Sequence, residues 1–172
     1  MDQDQEFEEL AKRWPDLIQK SKQEYIGVGS GWHHILDVLF GTLSYDVERA
    51  RQQLTYLQEN PGAKYARPIK ELEEALELAL KELPVIQQIK EKLGGLRVYT
   101  NGATPEHQAY IDFACAMASR TCEVCGSPGT SRNTGWIKTL CDMHHKEREE
   151  IHAEREPSEK AKRLKVPKLS DE

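Results

Sequence analysis

The chain reads as an α+β protein, mainly helical, and three observations carry that reading. Apolar residues recur at three- and four-residue intervals over most of the first 120 positions. One β-rich run follows a Gly-Gly pair. Two pairs of metal-type ligands stand close together near the C-terminal end. With 172 residues, 38% hydrophobic and 31% charged, the chain is polar yet able to bury one core without special staples. No apolar run approaches the roughly 18–20 residues of a membrane span. The acidic start (Asp2, Asp4, Glu6, Glu8, Glu9) is unlike a signal peptide. The expectation is therefore a cytoplasmic protein with no membrane partner. A formal net charge of −5 excludes a globally basic nucleic-acid binder, though not a local basic patch.

Taken in order, Phe7, Leu10, Ala11 and Trp14 form a helix face that Pro15 ends, and Leu17, Ile18, Ser21 and Tyr25 continue as a short helical turn. Gly27, Gly29 and Gly31 break the pattern. Their run lacks the Lys-Ser/Thr of a phosphate loop and reads as a turn, with Ser30 as the cap of the next helix. On that helix Trp32, Ile35, Leu36, Leu39, Phe40 and Leu43 share a face, and His33 and Asp37 pair on the other side. Ser44 caps a third helix striped by Val47, Ala50, Leu54 and Leu57. Asn60-Pro61-Gly62 is a turn, and a fourth helix runs from Pro68 to Leu83 with Ile69, Leu72, Leu76 and Ala79 in near-heptad spacing. The two stripes imply an antiparallel helical hairpin, with a homodimer seam through 45–59 and 68–83 as the alternative use.

Residues 85–92 fit both a strand and a helix. Gly94-Gly95 and the run Leu96–Thr100 favour a β-hairpin. Thr104-Pro105-Glu106 starts a helix whose buried face is expected to carry Tyr110, Phe113, Ala114 and Met117, with Cys115 packed as a small apolar group. After a loop or short hairpin over 126–140, a last helix runs from Asp142 to about Arg155 and Pro157 ends it. The expected organisation is a helical and hairpin core over 1–120, a knuckle module over 121–156 packed on it, and a disordered basic tail over 157–172.

Four cysteines occur. Cys122 and Cys125 form a C-x2-C pair, Cys141 and His144 a C-x2-H pair, and fifteen residues separate the pairs. Zinc prefers four tetrahedral sulfur or nitrogen ligands, which this spacing supplies. Gly126 suits the positive φ that follows such a turn. The reading is a structural Zn(2+) site of Cys122, Cys125, Cys141 and His144, with His145 as the other candidate for the fourth position. A closed four-ligand shell leaves no place for substrate, so the site stabilises and does not catalyse.

The order knuckle, hairpin, ligand-bearing helix resembles treble-clef zinc modules, and the Cys122-x2-Cys125-Gly and Leu140-Cys141-x2-His144-His145-Lys146 segments resemble the frame of HNH-type nucleases. The stretch from Gly126 to Leu140 has no His, Asp or Glu to activate water, which sets an HNH-like nuclease behind the binding readings as a lesser alternative. Gly29-Ser-Gly31-Trp32, Lys90-Glu-Lys92-Leu-Gly-Gly95-Leu-Arg97-Val-Tyr99, Cys122-Glu-Val-Cys125-Gly-Ser-Pro-Gly129 and Gly135-Trp136-Ile-Lys-Thr-Leu-Cys141 resemble, in that order, a family of small uncharacterised proteins of bacteria and their tailed phages. That resemblance implies an origin and an architecture, and by association the modulation of a host process or defence system. It implies no mechanism.

For function, the expectation is a non-enzymatic binding module that engages a host or phage protein through Lys90, Lys92, Arg97 and Tyr99 on the hairpin and Arg132, Trp136 and Lys138 beside the metal. Trp136 packed over the knuckle is the plainer use of that side chain. Nucleic-acid binding is the alternative, weakened because residues 121–145 carry as many acids as bases. An enzyme would need groups such as His33, His34, Asp37 and His107 gathered by folding.

Overall fold

The computed structural model describes residues 3–18, 26–63 and 67–163, with no side-chain detail at 3–7, 26, 134 and 154–163. Its elements are α1 (Gln3–Arg13), β1 (Ile26–Gly27), a 3-10 turn (Ser30–Trp32), α2 (His33–Leu43), α3 (Tyr45–Glu59), α4 (Ile69–Glu82), β2 (Val85–Lys92), β3 (Gly95–Asn101), α5 (Pro105–Ala118), β4 (Thr130–Thr134), β5 (Trp136–Leu140) and α6 (Asp142–Arg163). The mainly helical α+β reading holds. Among the described residues no helix is long and apolar enough to cross a membrane.

Helix α2 is the spine. Trp32, Leu36, Leu39, Phe40 and Leu43 are buried on one stripe and meet Leu10, Ala11, Leu17 and Ile18 from the N-terminal segment, Ile86, Ile89 and Leu96 from the sheet, and Ile111, Ala114 and Ala118 from α5. On its outer side Asp37 accepts hydrogen bonds from Trp14 Nε1 at 2.8 Å and Arg13 Nη1 at 3.0 Å, which clamps α1 to α2. Asp37, expected to face His33 on this side of the helix, thus also serves the joint between α1 and α2. Ser21 and Tyr25, expected to continue the N-terminal helix, lie outside the described residues.

Ser44 stands between α2 and α3 as expected, but its side chain makes no cap bond. Helices α3 and α4 pair through Val47, Ala50, Leu57 and Leu72. Asp46, Ala50 and Gln53 of α3 line a common cleft with Ala75, Ala79 and Glu82 of α4. Ile69 and Leu78 of α4 stay exposed.

The sheet has three strands in the order β1-β2-β3, with β1 parallel and β3 antiparallel to β2. Gly27, expected in a turn, is thus the end of a short strand on Lys90, because the chain from Ile26 runs alongside β2 before it turns. The β2–β3 register shifts between Ile86 and Gln88. This bulge puts Ile86 and Ile89 on one face although they are three apart, which is why the segment mimicked helical spacing. The turn is Leu93-Gly94 and not Gly94-Gly95: Lys92 pairs with Gly95, and both turn residues have positive φ, 53° and 74°. That is the two-residue geometry whose twist matches the strands.

Helix α5 starts with a reciprocal cap: Thr104 Oγ1 accepts from the His107 N–H, and His107 Nδ1 accepts from the Thr104 N–H. Its buried face is Ile111, Ala114 and Ala118, with Cys115 beside it. Tyr110, Phe113 and Met117, expected inside, are exposed. Both sides of this helix are apolar, and the small residues win the inner face because they let α5 approach α2 closely. Helix α6 passes Pro157 and continues to Arg163, so residues 158–163 are helical where a disordered tail was expected. Proline has a helical φ and removes one N–H, and the Glu, Lys, Arg and Ala around it are strong helix formers. The rest of that tail, 164–172, lies outside the described residues.

Candidate metal centre

The C-terminal module has the expected order of turn, hairpin and ligand-bearing helix. A turn over Cys122–Gly126 is closed by the Gly126 N–H to Cys122 O bond at 2.9 Å and bracketed by the Thr121–Pro128 bridge. The β4–β5 hairpin follows, turning at Gly135 (φ 84°), and α6 begins directly after Cys141. Gly126 has φ 76°, as its position after the C-x2-C pair required. The turn presents Cys122 and Cys125, and the first turn of α6 presents His144 one step beyond Cys141.

These four residues converge. Their ligand atoms lie within 4.8 Å of one another. Cys125 Sγ is 3.9 Å from Cys141 Sγ, and His144 Nδ1 is 3.2 Å from Cys141 Sγ and 3.5 Å from Cys122 Sγ. The cysteines are free thiols, not a disulfide. His144, not His145, completes the set: His145 Nε2 points to Glu149 Oε1 at 3.6 Å. His144 Nε2, away from the sulfurs, faces Glu147 Oε2 at 3.9 Å, the type of outer carboxylate that orients a ligating imidazole. The cluster can hold a metal ion.

The thiols differ in environment. Burial pushes the Cys122 thiol up. Hydrogen bonding with Ser127 holds exposed Cys125 down at about 6. A thiolate at buried Cys122 would be costly unless a cation neutralised it.

What holds the knuckle to the core was missed in the Gly-Val-Gly-Ser-Gly run. The Gly31 N–H donates to Glu123 O at 2.9 Å, Trp32 Nε1 donates to Thr121 O at 2.8 Å, and Ser30 Oγ donates to Val124 O at 2.9 Å. Ser30 therefore anchors the knuckle instead of capping α2; Gly29 stands at the cap position of the 3-10 turn without a side chain. A Cβ at Gly29 would fall 2.0 Å from Glu123 O, and one at Gly31 2.2 Å from Cys122 O and 2.5 Å from Gly126 N. The glycines are a seat for the metal-binding turn. The spacing Gly-x-Gly-Trp was the available signal, legible only once its partner segment is known.

A second joint links the module to the β2–β3 turn. Thr139 Oγ1 donates to Gly94 O at 2.6 Å, and Lys138 bridges Glu91 (3.1 Å) and Glu123. Burial pushes Glu91 up, but the Gly94 N–H and the Lys138 ammonium outweigh it and hold the carboxyl below its ordinary 4.5. Burial wins at Glu123, whose carboxyl is raised despite Lys138.

The seven expected binding residues separate into two groups. Lys90, Lys92, Arg97 and Tyr99 stand on the outward face of the hairpin, with Lys90 Nζ 5.0 Å from the centre of the Tyr99 ring. Arg132 is tied to Asp142, and Lys138 is enclosed between its two glutamates, so these two are structural ion-pair partners. Trp136 does not pack over the knuckle. It is 64% exposed, with Nε1 3.4 Å from Glu91 Oε2. The β5 side chains that turn inward are Thr139 and Leu140, which leaves the strand's first residue at the hairpin tip. Comparison with protein-family models, curated proteins and solved structures found no match to the chain.

Proposed function

We propose that the chain is a non-enzymatic, zinc-stabilised binding protein of phage or prophage origin, acting in the bacterial cytoplasm on a host or phage protein. Zinc is the metal that the donors favour: three thiolates and one imidazole form a borderline-soft set. Zn–S bonds of about 2.3 Å imply tetrahedral S···S edges of about 3.8 Å. The 3.9 Å between Cys125 and Cys141 suits that size. Four protein ligands close the shell, so the ion supplies folding free energy and no chemistry.

The observation that carries the binding role is the outward face of β2–β3. Among the described residues no element covers Lys90, Lys92, Arg97 and Tyr99 there; Leu93 at the turn and Trp136, against Glu91, are 66% and 64% exposed. Exposed aromatics with arginine and lysine are the composition of a protein interface. Nucleic acid is the second reading, since the same cations can meet phosphates. The test is an affinity capture from host lysate with and without nuclease, using wild type, Tyr99→Ala and Lys92→Glu. A protein retained after nuclease treatment and lost with both variants supports the reading. Capture that vanishes with nuclease, together with steeply salt-dependent binding to generic DNA or RNA, replaces it with the second. Elemental analysis that finds no zinc in the purified chain removes the metal assignment.

A further inference from the structure

Among the described residues, helix α5 leaves an apolar seam uncovered. At 100° per residue, Glu106, Ala109, Tyr110, Phe113, Ala116 and Met117 fall within about 60° of a line through Phe113, and Arg120 follows in the turn just past the helix end. All seven are exposed. Phe113 is 68% exposed and Met117 45%. The opposite side of the helix, Ile111, Ala114 and Ala118, is already committed to the core. Spacings of three and four through 106, 109, 113, 116 and 120 are those of a helix that pairs with another helix.

The seam is complementary to itself. Two copies of α5 laid antiparallel about a twofold axis at Phe113 bring Glu106 level with Arg120 of the second copy, and Arg120 level with its Glu106. Ala109 then lies beside Ala116 of the second copy, two small residues that allow close approach. On the other flank Tyr110 lies beside Met117 of the second copy, an aromatic–thioether contact. The order acid, small, bulky, small, base, read from either end, makes opposite charges meet only in the antiparallel arrangement. Parallel pairing would set glutamate against glutamate. Such isologous self-complementarity is what a twofold interface requires.

We infer that this chain self-associates as a twofold dimer through α5. One face of a 14-residue helix is small against the roughly 800 Å² per partner of a standard interface. Val38 and Tyr45, 56% and 60% exposed, extend the apolar surface past Tyr110 across a cavity of about 510 Å³. The dimer is therefore a reversible, concentration-dependent one. It uses a different surface from the α3–α4 seam expected from the sequence, and it does not depend on the proposed binding face.

Sedimentation equilibrium of the full zinc-supplemented chain over a wide concentration range tests it. The expected result is a mass rising from one chain to two. Phe113→Asp, which places two like charges on the axis, holds the mass at one chain. Glu106→Arg and Arg120→Glu each weaken the dimer about tenfold, and the double reversal restores it, a recovery that a merely unfolded variant cannot show. Far-UV circular dichroism establishes that each variant is folded. A single-chain mass for wild type at all concentrations overturns the inference. So does a dimer indifferent to Phe113→Asp, which would place the contact on another surface such as α3–α4.

Discussion

Gly31→Ala is the sharpest test of how the metal-binding turn is held. The new Cβ would stand 2.2 Å from Cys122 O, 2.5 Å from Gly126 N and 2.8 Å from Cys125 N, all backbone atoms. Ordinary contact is roughly 3.5 Å, so the turn must withdraw by about 1 Å. Overpacking of this type costs about 1–3 kcal/mol, toward the upper end where no flexible side chain can yield. The displacement also stretches the 2.9 Å bond from the Gly31 N–H to Glu123 O, worth about 1 kcal/mol. The sum is about 3 kcal/mol, a fall in Tm of roughly 6–12 °C for a chain of this size. If the strain is relieved at the ligands, the same energy appears as about hundredfold weaker metal binding. Thermal denaturation and a chelator competition would read both. Gly62→Ala is the matched control: nothing lies within 4 Å of its Cβ, and reduced freedom of the unfolded chain stabilises by about 0.4–1 kcal/mol. Equal Tm values for the two variants, with unchanged metal affinity, would refute the close seating of the turn on Gly31.

Lys138→Met leaves Glu91 and Glu123 facing each other nearly buried, with side chains 11% and 8% exposed, and should cost about 3 kcal/mol in urea denaturation. Loss under about 0.5 kcal/mol would show that the bridge is dispensable. Because the Glu91 carboxyl is held below 4.5 in the fold, its contribution is fully present above that value and disappears as pH falls through the folded value. The stability difference between wild type and Glu91→Gln should therefore be greatest near neutrality and shrink on acidification below about pH 4.5; a difference independent of pH would contradict the assignment. Leu93 has φ 53°, a conformation that costs a branched side chain about 1–2 kcal/mol. Leu93→Asn should raise Tm by a few degrees, and a fall would mean that the exposed leucine makes a contact worth more than the strain.

Much of this was legible because its determinants are local. The four ligands are two short-range pairs, and their spacing announced a metal centre before any fold was known. The Thr104-Pro105 start of α5, the Asn60-Pro61-Gly62 turn and the α2 stripe are equally short-range: each depends on residues within two helical turns. The failures share a cause. Residues 85–92 imitated a helix because a bulge at Gln87, set by pairing with β3, shifts the strand's phase. The turn residue was misplaced by one because register, not the presence of two glycines, decides which pair is left unpaired. Helix α5 carries two apolar stripes, and no local rule ranks them.

The two ligand pairs, most helix positions and the lack of acids or histidines on the metal hairpin are properties of the chain written in order. Which side of α5 faces inward, why Gly29 and Gly31 carry no side chain, and that Lys138 and Arg132 serve ion pairs instead of a binding face depend on segments 10 to 95 positions apart coming into contact. Helix periodicity, turn chemistry and ligand spacing act over a few residues, whereas burial, steric exclusion and the hydrogen bonds between distant segments are decided by whatever the rest of the chain places alongside.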